Sequence, residues 1–349
     1  MSDDIPWSQM PQDIRLQHLG KLFVERDIET QIASMLDRMR QSRRIYDEPR
    51  NAVITGETGV GKSKIFARYL AANPTRRDDD GNIVRPVILV DIRHSSSPRA
   101  VAQSILKGLG ITKGLQAANV TDLARQAKYN LVRQRVELVM LDEFHNTLTD
   151  AGNIREETRS NRIAEWVKDL CKTKDRTPEW PDGTQDENIP FAMIGTRKVL
   201  NIVNANQNPE LASLTPFNIS IPRYRFEGQE GIKEFEAFLQ KLDNELPFDD
   251  FSGLAKGGLA EKIHIATYGL LRQIHHLITY AAELAIVEGD AGIREHHLHR
   301  SIEDQRNLLQ SNLLVDEDEK GRVVVNPFPA PILSSAKGPA RKKSGWKAE

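Results

Sequence analysis

The sequence has a single cysteine, Cys171, among 349 residues, so it cannot form an intramolecular disulfide. One thiol also argues against a thiol-based metal site and is typical of a reducing cytoplasm. No apolar run approaches the roughly eighteen residues of a membrane helix, and the most apolar stretch, 277–287, contains Glu283. The N-terminus lacks the basic-then-apolar layout of a signal peptide. We therefore expect a cytoplasmic protein with no membrane partner.

The sequence also lacks an excess of either charge. It has 48 basic and 49 acidic residues, with a formal net charge of -1. No global field indicates a nucleic-acid partner, although a local basic surface would be enough to bind one. The length suggests two domains, or one large domain with an appendage.

A glycine-rich loop follows the short apolar run 52–54 and precedes a helical pattern at 62–70. A strand, a glycine loop and a helix in this order are the context that a P-loop requires. Glycines let the loop curl so that its backbone amides point at phosphate, Lys62 adds a positive charge, and the Ser63 hydroxyl is a Mg²⁺ ligand. The predicted ATP-binding residues are Gly56, Glu57, Thr58, Gly59, Val60, Gly61, Lys62 and Ser63.

Two acidic residues, Asp142 and Glu143, end the apolar run 138–141. Ligands gather at the carboxyl ends of strands in open α/β sheets, so Asp142 is predicted to hold Mg²⁺. Glu143 is placed to orient or deprotonate an attacking water, which favours an ATPase over a small-molecule kinase.

Two further polar residues complete the predicted site. Thr196 follows the apolar run 191–194, where it can sense the γ-phosphate or position the water. Arg272 follows Gly269 at a helix start, and its guanidinium suits phosphate geometry. Lys62, Glu143 and Thr196 are the predicted catalytic residues, and Arg272 is a predicted nucleotide contact. In this order and spacing the four elements describe an AAA+ module.

Apolar runs at 87–90, 138–141 and 191–194 alternate with helical patterns, which predicts a parallel sheet sandwiched by helices. Residues 219–226 are predicted to form an edge strand, since Pro222 is poorly tolerated in a central one. The expected organisation is an N-terminal helical extension (1–48), an α/β nucleotide-binding domain (49–226), a small all-helical lid (227–310) and a flexible tail (311–349). Residues 172–187 are predicted to be an exposed loop insertion.

The chain resembles the TniB/TnsC family of AAA+ regulators of DNA transposition. The resemblance lies in residues 51–63, in Asp142-Glu143-Phe144-His145-Asn146 with its flanks, in the helix at 163–170 and in 194–197. It implies an ATPase that assembles as a ring or filament on duplex DNA and links a TniQ-like target selector to a TnsB-like or TniA-like transposase. It also implies that Asp142 binds Mg²⁺, that Glu143 serves hydrolysis, and that Thr196 and Arg272 are sensors 1 and 2.

One departure from the family concerns an arginine that acts on the neighbouring subunit's nucleotide. The family usually has it just after a leucine before the last strand, but residues 210–217 contain no arginine. The remaining candidates are Arg223, Arg225 and the group Arg155, Arg159 and Arg162, or else trans-activation is weak.

Other charged and histidine residues have less specific interpretations. The candidates for phosphate contacts with DNA are Arg93, Arg99, Lys107, Lys113, Arg125 and Lys128, although each is individually favoured as a solvated charge. No base-reading motif is evident, so DNA binding is expected to be independent of sequence. The pairs at 275–276 and 296–297, with His299, are favoured as core or surface histidines. His145 is expected to be an orienting or structural group.

Two alternative functions share the ATP site. A helicase-loading or replication-initiation ATPase would recruit a helicase instead of a transposase. A signalling NTPase would carry a winged helix and repeats after its helical lid; the 39 residues that follow Gln310 here are too few for them, so we do not expect this function.

Overall fold

The computed structural model describes residues 6–92, 97–115, 119–147, 154–171, 188–203, 208–313 and 321–330; for 154–161 and 257 it describes the backbone alone. Several sequence interpretations lie outside these residues. They are the insertion at 172–187, the tail beyond 330, Arg93, and the side chains of Arg155 and Arg159.

Five parallel strands form the central sheet in the order β4-β5-β6-β1-β7. They are β1 (Ala52–Gly56), β4 (Val87–Asp91), β5 (Leu138–Asp142), β6 (Phe191–Gly195) and β7 (Phe217–Ile221). Every residue of β1, β5 and β6 is buried, because these strands are covered on both faces. The predicted edge strand lies at this sheet's edge but ends one residue before Pro222.

A two-stranded antiparallel hairpin, β2 (Arg76–Arg77) with β3 (Ile83–Val84), precedes β4. Strands of two residues carry no hydrophobic periodicity, so the sequence did not predict them.

Helices cover both faces of the sheet and continue after its last strand, which confirms the predicted fold class. Those before β7 are α1 (Gln12–Gly20), α2 (Asp27–Ser42), α3 (Lys62–Ala72), α4 (Pro98–Gly108), α5 (Val120–Arg133), α6 (Ile154–Cys171), α7 (Val199–Ile202) and α8 (Pro209–Ser213). Those after it, here called the C-terminal helices, are α9 (Gly228–Asn244), α10 (Gly257–Thr267), α11 (Leu271–Glu288) and α12 (Glu295–Leu313). No helix among the described residues combines the length and apolar character needed to cross a bilayer.

The sheet divides the buried apolar side chains into two clusters. Alternate residues of β1 face opposite ways, so Ile54 belongs to one cluster and Val53 to the other. The Ile54 cluster also contains Leu36 of α2 and Leu277 of α11. The N-terminal helix and the C-terminal helices therefore share one core with the sheet, and the domain boundaries stay predictions.

Both ends of the chain differ from the sequence interpretation. Apolar residues recur at a helical period from Leu22 to Met39, which predicts a helix there, but the helix begins only at Asp27, where acidic residues in the first turn suit the helix dipole. The last helix continues to Leu313, and Val324 and Phe328 beyond it are buried. Residues 321–330 are therefore packed, in contrast to the flexible tail expected from 311 onward.

A sharp turn at Tyr268 and Gly269, here called the elbow, leads from α10 into α11. Both residues have positive φ, 53° and 68°. A Cβ on Gly269 would lie 2.0 Å from the carbonyl oxygen of Tyr224, and the Tyr224 N–H donates to the Gly269 carbonyl at 3.0 Å. The elbow thus packs backbone to backbone against the segment that follows β7, and this contact positions the start of α11.

We predict that Gly269→Ala destabilises the protein far more than Gly289→Ala. Gly289 has a φ of 77° but nothing within 4 Å of an added Cβ, so it reports the backbone strain alone. That strain costs about 1–2 kcal/mol, and the Gly269 clash adds roughly 1–3 kcal/mol of overpacking. Urea denaturation of the two variants measures the difference. Equal losses would contradict the close packing of the elbow.

Candidate nucleotide-binding site

The loop between β1 and α3, residues 57–61, curls around an open centre at the carboxyl edge of the sheet. Gly59 and Gly61 have φ values of 89° and 96°, a region that side chains other than glycine rarely adopt. Gly61 is also the N-cap of α3, so the free amides of that helix face the loop's centre. Free amides at a helix N-terminus form an anion site.

Lys62 lies inside this loop. Its ammonium donates to the carbonyl oxygens of Gly56 at 2.7 Å and Glu57 at 3.0 Å, and the residue is only 6% exposed. The loop carbonyls thus hold a positive charge beside the amides of α3, and this combination suits phosphate oxygens.

Ser63 and Asp142 meet across the sheet edge. The Ser63 hydroxyl donates to Oδ2 of Asp142 at 3.3 Å, and the Glu143 N–H donates to Oδ1 at 2.8 Å. Burial raises the pKa of the Asp142 carboxyl above its usual value. A divalent cation between the two oxygens would favour the charged carboxylate again, so this hydroxyl and carboxylate are a fitting pair of hard ligands for Mg²⁺.

Glu143 has a φ of 57°, an unusual conformation for a residue that is not glycine. His145 links it to the neighbouring strand: the N–H of Thr196 donates to His145 Nδ1 at 3.4 Å, and His145 Nε2 lies 3.5 Å from a Glu143 carboxylate oxygen. Since Nδ1 accepts, the proton belongs on Nε2, facing the carboxylate. This geometry agrees with the orienting or structural group expected of His145.

The Thr196 hydroxyl is buried and has no hydrogen-bond partner among the described residues. Thr196 follows β6, which lies between β1 and β5 in the sheet. A buried hydroxyl without a partner is costly unless a ligand or water satisfies it. Because β6 lies between the strand that leads into the P-loop and the strand that ends at Asp142, this hydroxyl is a candidate partner for a polar ligand atom at the sheet edge.

The elbow brings Arg272 to the same loop. The Arg272 N–H donates to the Gly59 carbonyl at 2.8 Å, while its side chain is exposed and lines the cavity described next. The structure thus brings together the P-loop, Asp142, Glu143, Thr196 and Arg272, all of which were predicted as site residues.

A cavity of about 380 Å³ extends from the P-loop between the N-terminal segment and the C-terminal helices. Its polar lining includes Lys62, Ser63 and Glu143. Its apolar lining consists of Leu22, Phe23, Val24, Phe238, Leu242, Leu271 and Ile274. The polar lining was predictable from the sequence motifs, but the apolar lining was not, because its residues come from segments more than 200 positions apart.

Two histidines that carried no assigned role, His275 and His276, also line this cavity. Burial lowers the pKa of His275 to about 4 and also lowers the pKa of His276. Both imidazoles are therefore neutral near pH 7.

Arg26 also contacts the P-loop, although no sequence motif assigned it to the site. It is buried, donates to the Val60 carbonyl at 2.9 Å, and pairs with buried Glu29 at 3.1 Å. The N-terminal segment thus supports the P-loop from its outer side. The only sequence indication was an Arg-x-x-Glu spacing at a helix start.

The described candidates for a trans-acting arginine differ in their surroundings. Arg223 lies 3.8 Å from Glu57 of its own P-loop, whereas Arg225 and Arg162 are exposed. Arg223 thus faces its own nucleotide site and is the poorest of the three for reaching a neighbour.

The described DNA candidates lie on α4, α5 and the loop between them. Lys107, Lys113 and Arg125 are exposed, and Arg125 is 3.6 Å from Asp122. Lys128 pairs with Asp169 at 3.0 Å, which favours the structural interpretation for this residue. Arg99 is half-buried at the start of α4.

The histidine pair at 296–297 has two carboxylates beside it that the sequence analysis did not place there. His297 Nε2 lies 3.1 Å from Glu288 and 3.2 Å from Asp290, and together with His296 the four side chains have the composition of a metal site. However, the Arg294 N–H donates to His297 Nδ1 at 3.0 Å, so the ring proton belongs on Nε2, where a metal would bind. In this arrangement the buried imidazole caps the start of α12 and donates to the carboxylates.

The sheet order, the P-loop at its carboxyl edge and the helices that follow define an AAA+ P-loop protein. Residues 21–178 match the family model of the bacterial TniB protein. This match over a little less than half of the chain supports the TniB/TnsC-type assignment that the motifs predicted.

Archaeal replication proteins are similar in fold. The Aeropyrum pernix ORC2 protein in its ADPNP–ADP complexes superposes with a TM-score of 0.55 at 17% identity, over 84% of this chain and 74% of that one. The Aeropyrum pernix ORC1 protein in complex with DNA superposes with a TM-score of 0.53 at 18% identity, over 86% of this chain and 69% of that one. A segment of 99 residues, 28% of this chain, is 30% identical to the ORC1-type DNA replication protein 1 of Aeropyrum pernix and spans 25% of its length.

We predict that Thr196→Val leaves the free energy of unfolding unchanged or raises it by up to about 1 kcal/mol, since an unpaired buried hydroxyl becomes a methyl group. Thr279→Val is the matched control. The Thr279 hydroxyl donates to the His275 carbonyl at 2.6 Å, so its removal should lower the free energy of unfolding. Thermal unfolding without nucleotide compares the two. A clear destabilisation by Thr196→Val would mean that this hydroxyl has a partner within the protein.

Proposed function

We propose that this chain is an ATP-dependent regulator of DNA transposition that oligomerises on duplex DNA. In this role it connects a TniQ-like target selector to a TnsB-like or TniA-like transposase. The observation that carries the ATPase part is the convergence of Ser63, Asp142, Glu143 and the unpartnered Thr196 hydroxyl at the mouth of the P-loop. The TniB family match supports the transposition part.

In this proposal the triphosphate lies in the curled loop, held by the free amides of α3 and by Lys62. Ser63 and Asp142 would hold Mg²⁺, which would offset the negative charge of the phosphates. Lys62 already lies among carbonyl oxygens, so binding phosphate exchanges one set of oxygen partners for another. The apolar side chains that line the cavity would contact the base of the nucleotide.

Glu143 is the proposed base or orienting group for the attacking water. His145 fixes its carboxylate, and the Thr196 hydroxyl gains its missing partner from the γ-phosphate or from the water. Arg272 adds a positive charge from the C-terminal helices to the lining of the cavity. Its backbone bond to Gly59 ties the C-terminal helices to the loop that holds the phosphates.

Contacts with DNA are proposed for exposed cations around α4 and α5, with Lys107, Lys113 and Arg125 as the foremost. They would follow the phosphate backbone and make binding salt-dependent. A homo-oligomer would bring Arg225 or Arg162 of one copy toward the nucleotide of the next. Arg223 is less suited because its own Glu57 attracts it.

A replication-initiation or helicase-loading ATPase is the second candidate. It is supported by the segment similar to the ORC1-type DNA replication protein 1 and by the fold shared with the ORC proteins. It would use the same ATP site, so only the partner distinguishes the two functions.

Electron microscopy of the purified chain with plain duplex DNA and a non-hydrolysable ATP analogue is the decisive experiment. We expect rings or filaments on DNA that depend on nucleotide and weaken with salt. Absence of any ordered assembly would overturn the transposition proposal. Co-purification of a replicative helicase in place of a transposase would favour the second candidate.

We predict that Lys62→Ala abolishes ATP binding and assembly on DNA together, since the loop loses its one buried cation. Equilibrium binding of a fluorescent ATP analogue measures the first effect and microscopy the second. Lys233→Ala, an exposed lysine on α9, is the control and should leave both unchanged. Unaltered nucleotide affinity in the Lys62 variant would show that the P-loop is misassigned.

We predict that Glu143→Gln keeps nucleotide affinity within about threefold but lowers phosphate release by at least about a hundredfold, as expected on removing a general base. DNA complexes formed with ATP should then persist longer than those of the wild type. Glu165→Gln, an exposed residue of α6, serves as the control. Normal phosphate release by Glu143→Gln would contradict the role proposed for this residue.

A further inference from the structure

Residues 321–330, here called the C-terminal strap, lie against the C-terminal helices. Gln310 of α12 holds the strap backbone through both ends of its amide: its Nε2 donates to the Arg322 carbonyl at 2.9 Å, and its Oε1 accepts from the Val324 N–H at 2.8 Å. Val324 and Phe328 are each only 4% exposed. The strap is therefore anchored by apolar side chains as well as by hydrogen bonds.

The far half of the strap is held by polar contacts along α12. Asn326 donates to Glu303 at 2.8 Å and to the His299 carbonyl at 3.2 Å, and the Phe328 carbonyl lies 3.0 Å from His299 Nδ1. These contacts fix the strap on α12, so its near end has a defined position.

That near end lies on the elbow. The Tyr268 hydroxyl donates to the Val323 carbonyl at 2.9 Å, and the Arg322 guanidinium is 5.4 Å from the centre of the Tyr268 ring. Tyr268 lies four residues before Arg272, whose N–H bonds to Gly59. The strap and the P-loop thus contact the same turn from two sides.

Arg322 also contacts the P-loop directly. Its Nη1 donates to Oε2 of Glu57 at 3.1 Å, and the two side chains are only 17% and 31% exposed. Arg223 lies 3.8 Å from the same carboxylate oxygen. Glu57 is the second residue of the loop, so two guanidinium groups face a carboxylate beside the proposed phosphate site.

The charge of Glu57 gives this contact a physical consequence. A carboxylate close to a triphosphate repels it in a partly buried site where screening is weak. The guanidinium of Arg322 offsets that repulsion and also ties the elbow to the loop. Opening the cavity at the elbow would require both the Arg272–Gly59 bond and the Arg322–Glu57 pair to break.

We propose that the C-terminal strap is a latch that keeps the cavity closed over bound nucleotide and slows nucleotide release, with Arg322 as its positioning residue. This inference rests on the proposed function, because it takes the P-loop cavity to be a nucleotide site. It assigns regulation of that site to a segment lying 265 positions from Glu57 along the chain. By thermodynamic linkage, nucleotide in the cavity stabilises the docked strap as much as the strap stabilises bound nucleotide.

The test measures the release rate of a fluorescent ADP from the full-length chain without DNA, by stopped-flow chase with unlabelled ADP. Arg322→Ala should speed release about tenfold, in line with the loss of a charge-assisted hydrogen bond. Arg322→Lys should release ADP at a rate between those of the wild type and Arg322→Ala, since lysine keeps the charge but not the planar set of donors. Arg300→Ala, which removes an α12 arginine paired with Glu288, is the matched control and should not change the rate.

Two further variants separate charge from packing. Adding Glu57→Gln to Arg322→Ala should slow release only part of the way back toward the wild-type rate, because the uncompensated carboxylate is gone but the tie between the elbow and the loop is still missing. Phe328→Ala keeps Arg322 but loosens the strap's apolar anchor, and should speed release in the same direction. Circular dichroism checks that each variant is folded.

Unchanged release by both Arg322→Ala and Phe328→Ala would overturn the latch. An equal increase in Arg322→Ala with and without Glu57→Gln would overturn the charge argument on which it stands. A wild-type chain that binds no nucleotide would overturn the proposed function and the latch together. Failure to assemble on DNA, with the release rates as expected, would overturn only the transposition proposal.

Discussion

The backbone hydrogen bond from Arg272 to Gly59 is the contact on which the arrangement of the site depends. It joins the first turn of α11 to the tip of the P-loop, so the C-terminal helices and the sheet enclose one cavity. The elbow makes this bond possible, since only glycine at 269 lets the chain pass the Tyr224 carbonyl. A movement of the C-terminal helices would therefore strain or break this bond to the loop that is proposed to hold phosphate.

Three segments from distant parts of the chain support that loop from outside. Arg26 bonds to Val60, Arg272 bonds to Gly59, and Arg322 pairs with Glu57. Each of the three segments contributes an arginine, and each arginine contacts a different position of the loop. The N-terminal segment, the C-terminal helices and the C-terminal strap therefore bound the proposed site. Residues of all three also belong to one apolar cluster with the sheet.

The sequence was informative where a structural feature is local. The central strands were predictable because burial on both faces demands runs of apolar residues, and the P-loop was predictable because its glycines and lysine are consecutive. Thr196 and Arg272 could be predicted as site residues from local position alone, since one follows a strand and the other stands at a helix start. By contrast, Arg322 and Glu57, or Glu288 and His297, meet through tertiary packing, and no periodic pattern encodes such pairs. The hairpin β2–β3 was missed because its strands have two residues each.

The position of Arg223 bears on how copies of this chain would cooperate. An arginine that acts on a neighbour's nucleotide has to be available at the surface of its own subunit, whereas Arg223 is 3.8 Å from the carboxylate of its own P-loop. Glu57 attracts it and Arg322 at once, so releasing Arg223 toward a neighbour would leave that carboxylate less compensated beside the phosphates. The charge balance of a single subunit thus opposes the use of Arg223 in trans. The exposed Arg225 and Arg162 carry no such cost. Among the described candidates they are therefore better suited than Arg223 to act on a neighbour's nucleotide.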